Sequence, residues 1–111
     1  MGVYDTTNKL ANEIKNSKEY KDFQRYMKTI KDDKETEELL REYRTIQLQI
    51  QQNAMKNKRI DKKSMMKIET IQKKVSNNKK IYNYLISEQK FTSMMDNINK
   101  ILAKAVEQDY K

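Results

Sequence analysis

The stretch "YLISEQKFTSMMDNINKIL", residues 84–102, decides the fold. Leu85, Phe91, Met95, Ile98 and Leu102 recur at the steps of one helical face, and Glu88 fills the remaining position on that face. Working outward, Ile101, Ala105 and Val106 extend the apolar stripe towards the C-terminus. Upstream, Tyr20, Phe23, Met27 and Ile30 step by three and four, as do Leu39, Tyr43, Ile46 and Ile50. No stretch alternates in the manner of a strand. The 111 residues contain no proline and are rich in Lys, Glu, Gln, Met and Leu, so every segment tolerates a helix. The reading is a single all-α domain, residues 1–111, of about five helices in an antiparallel bundle with a long C-terminal helix.

Capping residues divide the helices. Asp5 or Thr6 is expected to start a first short helix, and Ser17, with Glu19 in the following turn, a second reaching about Lys31. Asp33, followed by Glu35, Glu37 and Glu38, suits the positive end of a third helix running to about Met55. Asn57 is the residue best able to adopt a left-handed turn, Asp61 caps a fourth helix, and Asn78 a fifth from Lys79 to about Asp109. At 1.5 Å per residue that last helix would span roughly 46 Å, against a diameter of roughly 34 Å for a compact domain of this length. Its apolar edge would then lie bare unless another chain covered it. The expectation is a homodimer or higher homo-oligomer of interlocked helices, with Leu85, Glu88, Phe91, Met95, Ile98, Leu102 and Val106 along the seam; a kink near Ser87 or Asn97 is the alternative.

Several chemistries lose their residues. Without Cys or His there is no side-chain zinc or iron–sulfur ligation and no imidazole-activated nucleophile, and with Gly2 as the sole glycine there is no phosphate-cradling glycine loop. No catalytic, cofactor-binding or metal residue is assigned. The N-terminus has no basic region followed by an apolar run, and no span of apolar residues is long enough to cross a bilayer, so a cytosolic location away from membranes is expected. Glu88 lacks a second acid within two helical turns on its own helix. Its role is read as structural, paired with Gln47, Gln51, Arg44 or Lys90 to fix helix register.

Charge is concentrated. Residues 1–55 and 81–111 each balance, whereas residues 56–80 hold ten basic and two acidic side chains, the whole net charge of +8. The basic residues are Lys56, Lys58, Arg59, Lys62, Lys63, Lys67, Lys73, Lys74, Lys79 and Lys80. Such a patch can bind phosphate backbones without reading sequence. A single Arg, and no aromatic residue between Tyr43 and Tyr82 for bases to stack on, weigh against that, and a solvated face is preferred. Met65 and Met66 beside the lysines allow a third use, an adaptable protein-docking surface.

Three stretches, "VYDTTNKLANEIKNSKEYKDF", "DDKETEELLREYRTIQLQIQ" and "NNKKIYNYLISEQKFTSMMDNINKIL", together resemble the YlbF/YmcA family of small bacterial helical proteins, especially its YheA-like branch. The most specific parts are Tyr4-Asp5, Ser17 with Glu19-Tyr20, Gln47 and Gln51, and Glu88-Gln89 followed by Phe91. The resemblance implies a self-associating helical fold and a non-enzymatic cytosolic factor that acts with another protein. It links the chain to competence, sporulation and biofilm development, in part through a complex that assists an endoribonuclease. Members of that complex bind iron–sulfur clusters through cysteines that this chain lacks. Asn57 stands where a turn glycine is common in the family, and Lys79 where a proline is common.

Overall fold

Four of the five helices begin where a short polar side chain takes over a backbone N–H that the helix itself cannot satisfy. The computed structural model describes residues 2–107 and contains α1 (Val3–Lys15), α2 (Lys18–Lys31), α3 (Lys34–Met55), α4 (Lys62–Ser76) and α5 (Lys79–Val106), with no strand among the described residues. At the start of α2 the Tyr20 N–H donates to Ser17 Oγ at 3.2 Å, and Ser17 Oγ donates in turn to the Ile14 carbonyl at 2.6 Å. Asp33 accepts from the Thr36 N–H and hydroxyl, at 3.5 and 2.8 Å. Asp61 accepts from the Ser64 N–H at 2.7 Å, and Asn78 Oδ1 from the Ile81 N–H at 3.0 Å. Each bond satisfies one of the orphan donors of a first helical turn.

The first helix departs from the expectation. It starts at Val3, with Asp5 and Thr6 already inside it and no side-chain cap. The reason is the threonine hydroxyls: Thr6 Oγ1 donates to the Gly2 carbonyl at 3.2 Å and Thr7 Oγ1 to the Val3 carbonyl at 2.7 Å, bonding back along the helix instead of capping it. Between α3 and α4, Asn57 is left-handed with φ 55°. The Lys58 N–H reaches the Asn53 carbonyl at 2.9 Å and the Asn57 N–H the Ala54 carbonyl at 3.3 Å, the paired bonds of a Schellman ending. Asparagine thus performs the turn that glycine more often makes.

Helix α5 is one unbroken element of 28 residues, about 42 Å long, with no interruption at Ser87 or Asn97; Asp109 lies outside the described residues. The chain divides into two compact units. One consists of Lys28–Asn83 and contains α3 and α4 packed on each other as a hairpin. Ile30, Ile46, Ile68, Ile71, Val75 and Ile81 are buried there, with Thr36 beside them and Ile81 wholly inaccessible. The other consists of the described residues up to Met27 and from Tyr84 onward. Its interior is aromatic: Phe23 stacks on Phe91 and on Tyr84 at ring separations of 5.2 and 5.7 Å, and Tyr20 meets Phe91 at 5.4 Å. Among the described residues, no helix is long and apolar enough to cross a membrane.

Candidate interaction surfaces

The seam residues of α5 fall into two groups. Leu85, Glu88, Phe91, Met95 and Ile98 are half-buried, whereas Leu102 and Val106 are exposed and Ile101 beside them is 69% exposed. The buried positions at the near end of the stripe are Tyr84 and Ser87, one residue off the anticipated line. Ser87 can be buried because its hydroxyl donates to the Tyr84 carbonyl at 2.7 Å. Tyr84 also serves Glu88: its hydroxyl donates to Glu88 Oε2 at 3.0 Å. The four-residue spacing of Tyr84 and Glu88 on one helix was the available signal.

Part of the set that carries the family resemblance, Glu19-Tyr20 of α2 and Gln89 with Phe91 of α5, meets in this unit. Glu19 of α2 and Gln89 of α5 line one open groove with Lys90, Ser93, Asn97 and Ile98, and the adjacent Tyr20 and Phe91 are in ring contact. These members of the signature pack α2 on α5. Further along, Leu102 lines an apolar recess with Val3, Thr6, Thr7 and Leu10 of α1. Gln47 and Gln51 of α3 are exposed. No group of three or more His, Cys, Asp or Glu side chains suited to a metal is found among the described residues.

All ten basic residues, Lys56, Lys58, Arg59, Lys62, Lys63, Lys67, Lys73, Lys74, Lys79 and Lys80, are exposed, but they are not equivalent. Lys80 Nζ pairs with Asp33 Oδ2 at 3.0 Å. The Asp33 carboxyl, held first by the Thr36 hydroxyl and then by Lys80, is lowered from 3.8 to about 2. Lys74 lines a recess with Asp33, Glu35, Glu38 and Glu42. Lys67 sits in a groove between α3 and α4 beside Arg41 and Glu42. Asp61 is lowered as well, by hydrogen bonds from the Ser64 backbone and side chain. Positive charge in excess of nearby acids therefore gathers at the turn between α3 and α4 and at the start of α4, where Asp61 stands among Lys56, Lys58, Arg59, Lys62 and Lys63. Met55, Met65 and Met66 are exposed in the same stretch, so Met55 joins the pair beside the lysines.

Comparison with known proteins gives this architecture its context. A UPF0342 protein of Clostridium novyi (strain NT) is 34% identical over 110 residues, covering 99% of this chain and 96% of the relative. A UPF0342 protein of Staphylococcus saprophyticus is 27% identical over 110 residues with the same coverage. Among solved structures, a protein of unknown function (DUF964) from Bacillus stearothermophilus superposes with a TM-score of 0.73 at 17% identity, covering 97% of this chain and 95% of that one. A chain from the crystal structure of Bacillus subtilis RicA in complex with RicF gives 0.68 at 18% identity, covering 97% and 96%. At those identities the structural likeness speaks to the fold. The family model described as control of competence regulator ComK, YlbF/YmcA, matches residues 3–107, and the chain belongs to that family.

Proposed function

We propose that this chain is a non-enzymatic cytosolic adaptor of the YheA-like branch, self-associating as a homodimer or higher homo-oligomer and acting on another protein through exposed helix faces. Its setting would be developmental regulation (competence, sporulation, biofilm) or RNA processing. The observation that carries the reading is the edge of α5, where Ile101, Leu102 and Val106 stand exposed on a helix that continues the half-buried stripe of Phe91, Met95 and Ile98. A large apolar edge left in water is costly, and covering it with a second surface removes the cost. The solved complex of RicA with RicF supports a role in protein–protein assembly for this fold. Size-exclusion chromatography with light scattering at micromolar concentration tests the proposal. The expected result is an assembly that the double variant Ile101→Ser, Leu102→Ser reduces to a folded monomer; a monomeric parent chain would overturn self-association.

A second reading, an RNA- or DNA-binding accessory protein using residues 56–80, draws on the exposure of all ten basic residues. It requires steep, salt-sensitive binding of labelled RNA that is lost when Lys62, Lys63, Lys73 and Lys74 become Glu. Binding that is weak at low salt, or unaffected by those changes, removes it.

A further inference from the structure

The end of the α3–α4 hairpin carries a surface that the α5 edge does not explain. Helix α3 closes on Met55, 81% exposed, the chain turns through Asn57, and α4 opens with Lys62, Lys63, Met65 and Met66, the last 61% exposed. Three of the seven methionines thus lie in water within one short stretch. Helical spacing places Lys62 and Lys63 one turn before Met66 and Lys73 two turns after it. Ile68, Ile71 and Val75 are buried on the side of α4 away from Met66, while the less exposed Met65 lies on the flank between them. Exposed, deformable thioethers at this end of the hairpin are thus interspersed with exposed cations, Lys56, Lys58 and Arg59 in the turn and Lys62 and Lys63 on α4.

Charge complementarity selects the occupant. A second copy meeting this face with its own would bring the same run of lysines and be repelled. A nucleic acid would engage the lysines but leave the thioethers against phosphate, with a single Arg and no neighbouring aromatic ring to help. An acidic amphipathic helix uses both parts: its apolar stripe lies on unbranched, polarisable methionines that reshape around it, and its carboxylates meet the lysines.

We propose that the Met55–Met66 end of the hairpin is a docking surface for an acidic amphipathic helix of a partner protein. This deepens the adaptor reading, and rests on it, but uses none of the residues of the α5 edge. The test is a fluorescence-anisotropy titration of the full chain with a labelled peptide of about 20 residues carrying Leu at helical spacing on a Glu-rich background. A peptide of identical composition with its leucines spread around the helix serves as control. The amphipathic peptide is expected to bind about tenfold more tightly than the control. Met65→Ser with Met66→Ser should abolish that preference while leaving the melting temperature and the light-scattering mass unchanged. Lys62→Glu with Lys63→Glu should weaken both peptides. Equal affinity for the two peptides overturns the proposal, as does tighter binding of a single-stranded RNA that the serine variants do not affect. If the peptides fail while the parent chain still assembles and Leu102 variants do not, this surface is refuted and the adaptor reading stands.

Discussion

The two units differ in how they exclude water. In Lys28–Asn83, branched aliphatic side chains from four helices are buried, and Ile81 is sealed completely. In the other unit, nothing on α1 is buried, Phe23 and Phe91 remain half-exposed, and among its described residues only Tyr84 and Ser87 are closed off. Both units have well-formed helices, so the contrast does not come from helix propensity. It lies in packing: β-branched residues with few rotamers interlock in a small volume, whereas large rings cover a wide area from one side. A unit that stacks rings over an open edge has less of its stability inside itself. That is where the proposed second surface would contribute.

The largest effect should come from the sealed core. Ile81→Ala removes a fully buried side chain and is expected to cost about 3 kcal/mol, read as a fall in the urea midpoint with unchanged slope. Phe91→Ala removes a half-buried ring and its contacts with Phe23 and Tyr20, with an expected cost of about 2 kcal/mol. If Phe91 proved the more costly of the two, the comparison would be inverted. Repeating both melts across a hundredfold range of protein concentration sharpens it: the Phe91 effect should grow with concentration if another chain covers that unit, and the Ile81 effect should not.

Legibility in the sequence followed the range of the interactions. Ser17, Asp33, Asp61, Asn78 and the turn at Asn57 were readable because each acts on backbone within a few residues. The start of α1 was not, because a threonine hydroxyl can cap or bond backwards, and Thr6 and Thr7 do the latter. Periodicity located the apolar face of α5 but not its deepest line. Tyr84 and Ser87 are buried where Leu85 was anticipated, since a stripe several residues wide does not say which of its sides meets a neighbour. Likewise, counting ten basic residues as one patch hid the pairing of Lys80 with Asp33, which lies 47 positions away in the chain.

A smaller effect is expected at Glu88, the polar position on the α5 face. Glu88→Leu forfeits the hydrogen bond from Tyr84 but extends the apolar stripe, so thermal stability should hold or rise slightly. If the acid sets register, light scattering should show a broader distribution of assembly states than the parent chain has. Loss of stability with unaltered assembly would place its importance in the Tyr84 bond instead.

The smallest expected effect is electrostatic and belongs to the better-sealed unit. Because the Asp33 carboxyl is depressed from 3.8 to about 2 in the folded chain, its contribution is fully present above pH 3.8 and is lost as the pH falls through about 2. Other carboxylates titrate nearby, so the informative quantity is a difference. Asp33→Asn preserves a good N-cap while removing the charge that meets Lys80. Between pH 4 and pH 2 the parent chain should therefore lose stability more steeply than the variant, by up to the slope of one proton, and above pH 5 the two curves should run parallel. Parallel curves throughout would mean that Thr36 and Lys80 hold the carboxyl no better than water does. The junction of α3 with α5 would then depend on the buried isoleucines alone, which would widen the contrast between the two units.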